Sequence, residues 1–233
     1  MVAARILRLA NSAAFGAPQQ AVSIPQAASR LGASRLKSLL IEIGAQRVFS
    51  SKDPAINQAC QQLWQDSLAV GFLAREFGTA VTGSERVAES GFLGGLLHDI
   101  GKPVVAGLLL DAERRLRGKA QRDWIVVNEW IEWIASVHRQ VGIALAIRWG
   151  MPELVVNAIR NSKELDTSAR HAATNFIVLG NALAKREGLY LGSYDQAANS
   201  ALILEAQALV EGSAALLDEA SQNLRERVTE RLS

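Results

Sequence analysis

The 233-residue sequence predicts an all-α fold, and three observations lead to that prediction. Apolar residues recur three and four positions apart along most of the chain, which is the spacing of a helix face. Serine, aspartate and proline stand where these runs begin, and glycine stands where they end. No segment shows the alternation of apolar and polar residues that a half-buried strand requires.

The first fifty residues predict a small helical lobe. A short helix is expected over residues 2–14, where isoleucine and leucine lie among alanines. Ser23 and Gln26 have the spacing of a capping box, and the helix that they begin should stop at Gly32. Another helix follows directly, so residues 1–50 are expected to form a compact N-terminal lobe.

A larger helical core is expected over residues 51–190. Asp53 and Pro54 indicate the start of a long helix that ends near Gly78, because an aspartate side chain caps a helix and proline fits its first turn. Ser84 begins the next helix. Further helices are expected over residues 137–149, 153–160 and 168–187.

Residues 191–233 are expected to form C-terminal helices that pack on the core or mediate association. Two helices are predicted, divided near Gly212 and Ser213. The small and apolar residues of Val210–Asp218 suit helix packing, and packing within the chain is the expectation.

Composition limits the classes of function. Lys and Arg number 25 against 23 Asp and Glu, so the net charge of +2 gives no reason to expect nucleic-acid binding. The single cysteine, Cys60, fits a reducing compartment and reads as a packed thiol. Charged residues and glycines interrupt each apolar run before the ~18–20 residues of a membrane span. We therefore expect a cytoplasmic protein with no membrane partner.

The stretch Gly91–Pro103, GFLGGLLHDIGKP, is the most informative part of the chain. Its glycines allow neighbouring backbones to approach, and the helix is expected to break at Gly101 and Pro103. His98 and Asp99 together offer a nitrogen and an anionic oxygen, which suit a divalent metal. Lys102 could meet a phosphate as a point charge. The alternative is that the His–Asp pair only fixes the end of a packed helix.

Two other clusters have simpler explanations. The basic segment after Pro103 is expected to be a solvated helix face, with phosphate binding as the alternative. The tryptophans that follow it are expected to be core and edge packing, with partner docking as the alternative. The residues concerned are Arg114, Arg115, Arg117 and Lys119, and Trp124, Trp130 and Trp133.

Several separated motifs, in order, resemble the HDOD domain of bacterial signalling proteins, a relative of the HD and HD-GYP metal-dependent phosphohydrolases. The resemblance extends from about residue 2 to about residue 190 and implies a multi-helical HD-like domain with a smaller helical N-terminal lobe. The motifs are NSAAFG (11–16), AASRLGASRLKSLL (27–40), LWQDSLAV (63–70), GLLHDIGK (95–102) and VHRQVGIALAIRWGMP (137–152).

The resemblance also implies a metal site that is incomplete. Active HD enzymes hold one or two metals with a histidine, a His-Asp pair and a later aspartate. The pair is present as His98 and Asp99, and a further histidine is present as His138. Asp66 stands where the first histidine is expected, and Asn181 stands where the last aspartate is expected. Asn161 and Ser162 replace a later pair of histidines.

These departures predict a non-catalytic regulatory or interaction domain in bacterial signal transduction. Its expected partners are signalling proteins, and it is expected to need no cofactor. The remaining residues, His98, Asp99, His138 and Asp66, could alternatively hold one divalent transition metal ion. Two other functions stay open: a metal-dependent phosphohydrolase or phosphodiesterase acting on a nucleotide, and a non-hydrolytic sensor that binds a phosphorylated ligand through Lys102 and nearby arginines.

Overall fold

A computed structural model describes residues 2–12, 15, 19–117 and 127–232, and it confirms the all-helical prediction. The described residues form helices and no strand. The helices are α1 Val2–Ala10, α2 Ile24–Gln46, α3 Pro54–Thr82, α4 Glu85–Leu97, α5 Gly101–Arg117, α6 Val127–Arg148, α7 Glu153–Arg160, α8 Ala173–Arg186, α9 Gln196–Leu209, α10 Ala214–Ser221 and α11 Leu224–Leu232.

The chain divides into two compact units, Met1–Arg47 and Val48–Ser233. In the first unit α1 packs on α2. The Ser23 side chain caps α2 by accepting a hydrogen bond from the Gln26 amide, as the capping-box spacing predicts. Gly32 has a φ of +76°, which kinks α2 where the sequence indicates the end of one helix and the start of another.

The second unit is organised around α3, which packs against α4, α5, α8, α10 and α11. Asp53 accepts a hydrogen bond from the Ile56 amide at the start of α3, at 3.3 Å. The helix continues past Gly78 to Thr82. Its apolar face is closed off from solvent, as expected of a central helix. The residues of that face with no exposed surface are Leu68, Ala69, Val70, Leu73, Ala74 and Phe77.

Helices α3 and α4 approach closely because glycines lie at their crossing. A Cβ on Gly95 would lie 2.8 Å from the Gly71 amide nitrogen, and one on Gly91 would lie 2.9 Å from the Ala74 carbonyl oxygen. Both distances are shorter than real Cβ contacts. The expectation that these glycines bring backbones together is therefore confirmed, and the result is that Asp66 on α3 lies close to the end of α4.

The turn after His98 differs from the sequence-based expectation. Gly101 and Pro103 do not end the helix; they lie in the first turn of α5, where a proline loses no helical hydrogen bond. The break lies between Leu97 and Gly101, where the amide of Ile100 donates to the Leu97 carbonyl at 3.1 Å. His98 and Asp99 thus lie at a corner between two helices.

Two helix boundaries after residue 160 are also corrected. Helix α8 begins at Ala173 and not at residue 168, because the Asn175 side chain binds the backbone of the preceding turns. Its amide donates to the carbonyls of Asp166, Ala169 and Arg170.

The C-terminal residues form three helices and not two. The predicted division near Gly212 is present, and Asn223, with a φ of 59°, separates α10 from α11. Val210 and Leu217 are buried within the chain, as predicted.

The basic and tryptophan clusters are partly described. Lys119 and Trp124 lie outside the described residues, as does the Arg117 side chain. Arg114 lies 3.5 Å from Asp53, which agrees with a solvated face more than with a phosphate site. Trp130 is half-buried, but Trp133 is 62% exposed on α6, so the packing prediction does not hold for Trp133.

One stretch is longer and more apolar than the sequence analysis allowed. By length and composition Glu85–Arg115, which covers α4 and most of α5, could cross a membrane, although 61% of its most apolar window is buried inside the protein. Gln196–Leu209 and Ala214–Leu232 pass the same test only when counted together, and they are bent by 119°. Core helices of soluble proteins also pass this test, so it is weak evidence for a membrane span.

Candidate metal site

The predicted site residues meet at the corner between α4 and α5. Asp66 comes from the middle of α3, His98 and Asp99 form the corner itself, and Lys102 is the second residue of α5. His138 lies on α6, which packs against α5. The structure therefore brings together all five of the residues that the sequence predicted for a metal or ligand site.

The distances between these side chains are short. One ligand atom from each of Asp66, His98 and Asp99 lies within 4.8 Å of the others. His98 Nε2 lies 3.4 Å from Asp99 Oδ2, and His138 Nε2 lies 3.5 Å from Asp99 Oδ1. The Lys102 ammonium is ion-paired with Asp99 Oδ2.

Both histidine rings are oriented by helix carbonyls. His98 Nδ1 donates to the Gly95 carbonyl at 2.7 Å, and His138 Nδ1 donates to the Ile134 carbonyl at 2.9 Å. In a neutral imidazole the other nitrogen, Nε2, is then an acceptor. Burial lowers the pKa of His98, which keeps that ring neutral. Acceptor nitrogens facing carboxylate oxygens indicate a site for a cation, and the backbone bonds give the orientation that metal-bound histidines usually have.

Asp66 is the most unusual group of the site. It has no exposed surface, and among the described residues neither of its oxygens accepts a hydrogen bond. Burial, and then the negative charge of Asp99, raises the pKa of Asp66 to about 8. A buried carboxylate without a partner is costly, so Asp66 is expected to hold a proton unless a cation is present.

Asp99 and Lys102 behave as a charged pair. Burial works against the ionised form of Asp99, but the Lys102 ammonium, which pairs with this carboxylate, holds the pKa of Asp99 well below its usual range. Burial alone would lower the pKa of Lys102, but Asp99 more than offsets it and the pKa is raised. Asp99 is thus an anion whose charge is compensated by the lysine.

The donor set fits one divalent ion. The unpartnered oxygens of Asp66 and the unpartnered Nε2 of His98 converge with Asp99 on one small volume. One nitrogen and two carboxylates are donors that manganese, iron and zinc accept. Asp66, His98 and Asp99 would hold the ion, with His138 beside Asp99, and a bound ion would supply a Lewis acid at this corner.

The positions predicted to have lost ligands carry neutral side chains. Asn161 is exposed at the end of α7, and the buried Ser162 hydroxyl donates to the Ile159 carbonyl. Asn181 lies on α8, and its buried Oδ1 accepts no hydrogen bond from a described residue. His171, which the sequence places outside the motif, is exposed in the turn before α8. Only ligands for a single ion are therefore gathered among the described residues.

Two further residues border the site and were not predicted. Lys185 on α8 is close enough to affect the ionisation of Asp66, and Tyr190 follows the same helix. The ammonium groups of Lys102 and Lys185 lie 5.5 and 5.0 Å from the centre of the Tyr190 ring. Among the described side chains, the second cation near the carboxylates is thus a lysine and not Arg114 or Arg115 of α5. The only sequence signal was the spacing of four between Asn181 and Lys185, which places both on one helix face.

An all-helical domain with a His-Asp corner between two helices is the HD-related fold that the motifs imply. The HDOD domain family model matches residues 1–165, which is most of the chain. The chain belongs to the HDOD family, and the resemblance stated from its motifs is confirmed.

Known proteins that resemble the chain show the same fold. The crystal structure of a Shewanella amazonensis SB2B protein superposes with a TM-score of 0.69 at 20% identity, covering 97% of this chain and 80% of that one. That protein carries the name of a metal-dependent phosphohydrolase as a provisional assignment. A Geobacter sulfurreducens HDOD domain protein of unknown function superposes with a TM-score of 0.64 at 19% identity, covering 97% and 81%.

One relative is closer in sequence but much longer. An uncharacterized protein of Treponema pallidum (strain Nichols) is 32% identical over 157 residues, which is 66% of this chain. The matched region is 29% of that protein, so the chain spans less than a third of its length.

Proposed function

We propose that this chain is a cytoplasmic regulatory domain of bacterial signal transduction, which acts by binding a signalling protein and does not hydrolyse phosphate esters. The observation that carries the proposal is the state of the HD site. The ligands gathered among the described residues suffice for one ion only, and one of the two carboxylates is already paired with Lys102.

The burial of the site supports a role without turnover. The side chains of His98, Asp99 and His138 are 1%, 9% and 5% exposed, and Asp66 has no exposed surface. A phosphohydrolase has to admit a phosphate to the metal and to the attacking water. A closed cluster favours instead a part in the stability of the domain and in the shape that it offers to a partner.

The test of this proposal is a hydrolysis assay with a matched inactive variant. We expect no release of product above the rate of Asp99→Ala, with manganese, iron or zinc supplied. The products followed are the linear dinucleotide from cyclic dinucleotides, phosphate from nucleotides and p-nitrophenolate from bis-p-nitrophenyl phosphate. A known HD phosphohydrolase in the same assay is the positive control. Steady metal-dependent release by the wild-type protein that disappears in Asp99→Ala would show the proposal to be wrong.

A metal-dependent phosphohydrolase is the second candidate. It is favoured by the convergence of Asp66, His98 and Asp99 within 4.8 Å and by the acceptor atoms that these residues leave unpartnered. The hydrolysis assay decides between the two functions directly.

A sensor of phosphorylated ligands is the third candidate, and one observation favours it. Lys185 is half-buried beside Lys102 and Tyr190, which gives two ammonium groups and a phenol at the border of the site. Binding of nucleotides without product would raise the thermal midpoint, and Lys185→Met should then abolish the shift. No shift with either protein would contradict the sensor function.

A further inference from the structure

Lys102 occupies an unusual place with respect to the ligand atoms. Its amide donates to the Asp99 carbonyl at 2.9 Å, and its ammonium reaches the carboxylate of the same residue. The ammonium pairs with Asp99 Oδ2, and the same oxygen lies 3.4 Å from His98 Nε2. The lysine and a metal ion would therefore use the same carboxylate oxygen.

The lysine is also held from its other side. The Tyr190 ring centre lies 5.5 Å from Lys102 Nζ, within the range of a cation–π contact. The Lys102 side chain is 16% exposed, so little of it is hydrated. An ammonium in this position supplies the positive charge that a buried carboxylate requires.

We propose that Lys102 is a tethered cation that takes the place of a divalent ion at Asp99 and has to leave that carboxylate before an ion can bind there. This inference rests on the single-ion site of the proposed function and deepens it, because it states what controls the occupancy of that site. The physical reason is that an ammonium and a divalent cation on one oxygen would repel each other strongly where little water screens them.

If Lys102 competes with the ion, its removal should change metal affinity and the stability of the metal-free protein in opposite directions. Because Lys102 is part of the chain, it is present at Asp99 at a high effective concentration and opposes every ion that approaches. Removing it should strengthen metal binding. Removing it should also destabilise the metal-free protein, since Asp99 would lose its ionic partner. A lysine that only supports the fold would weaken both properties.

The experiment measures manganese binding to chelator-treated protein, using the electron paramagnetic resonance signal of free Mn²⁺. We expect Lys102→Met to bind Mn²⁺ about tenfold more tightly than the wild-type protein. Without metal, the same variant should unfold at a lower urea concentration. Asp99→Ala should lose the binding, which assigns it to this site.

Lys185→Met is the matched control, since it removes one positive charge near the same carboxylates without removing a contact to Asp99. We expect its Mn²⁺ affinity to change less than about threefold, because only the weaker long-range repulsion is relieved. An increase equal to that of Lys102→Met would overturn direct competition. Lys102→Gln, which retains a polar side chain, takes the place of Lys102→Met if the latter does not fold.

Unchanged or weaker Mn²⁺ binding in both Lys102 variants overturns the inference. The absence of Mn²⁺ binding in the wild-type protein and the variants alike also overturns it. In either case the lysine is not what excludes the ion. These outcomes are distinct from failure of the proposed function, which depends on hydrolysis of a phosphate ester and not on Mn²⁺ affinity. A chain could bind Mn²⁺ tightly after loss of Lys102 and still hydrolyse no phosphate ester.

Discussion

Gly101→Ala is expected to destabilise the protein by about 3 kcal/mol or more and to disorganise the metal site. A Cβ on Gly101 would overlap the carbonyl oxygen of His138 and would lie 2.9 Å from the Gly142 amide nitrogen. These are backbone atoms of α6 and cannot rotate away, so α5 and α6 would have to separate. Their separation would move Asp99 and Lys102 away from His138.

Gly107→Ala is the matched control for this substitution. Gly107 lies on the same helix, and an added Cβ there would meet nothing within 4 Å. Alanine favours the helix by about 0.5–1 kcal/mol over glycine, so this variant should be slightly more stable than the wild-type protein. Urea unfolding measures both variants. Equal midpoints for Gly101→Ala and Gly107→Ala would contradict the close packing of α5 against α6.

The helix starts could be predicted because the signals for them are local. Ser23, Asp53 and Ser84 each cap a helix through an amide three residues away along the chain. The start of α8 could not be predicted in this way. There Asn175 binds carbonyls five to nine residues before it, and nothing in its immediate sequence indicates that the chain turns back to meet it.

In the candidate site, too, the residues adjacent in sequence could be predicted from local signals, and the distant ones could not. His98 and Asp99 are adjacent, so the chemistry of the pair is visible in the sequence without a structure. Asp66 and His138 are distant in sequence, and they were placed in the site by the resemblance to a family and not by periodicity.

Lys185 and Tyr190 were missed because their approach to Lys102 depends on how α8 packs against α3 and α4. That packing is fixed by long-range contacts between apolar faces. No local pattern in the sequence reports which polar residues at the ends of such faces will meet.

The ionisation of Asp66 should make the stability of the metal-free protein depend on pH. Burial, followed by the charge of Asp99, raises the pKa of this carboxyl to about 8, whereas in an unfolded chain it titrates near about 4. Between these values the folded protein holds a proton that the unfolded chain has lost. The free energy of unfolding therefore falls as the pH rises, by about 1.4 kcal/mol per pH unit where the difference is one whole proton.

His98 has the opposite effect at lower pH. Burial lowers its pKa, so below about pH 6.5 the unfolded chain binds a proton that the folded protein lacks, and stability rises with pH there. The two effects overlap below about pH 6.5. From about pH 6.5 to about pH 8 the effect of Asp66 remains without that of His98, and this is the window in which to measure it.

Asp66→Asn is expected to remove most of the fall in stability across that window, because asparagine cannot ionise. The measurement is urea unfolding of chelator-treated protein at several pH values, and the quantity compared is the slope of the unfolding free energy against pH. Asp111→Asn, which removes an exposed carboxylate on α5, should keep the wild-type slope.

Parallel profiles for the wild-type protein and Asp66→Asn would mean that Asp66 is already ionised at neutral pH. In that case a cation would have to lie beside it without metal, and the only ammonium groups near it among the described residues are those of Lys102 and Lys185.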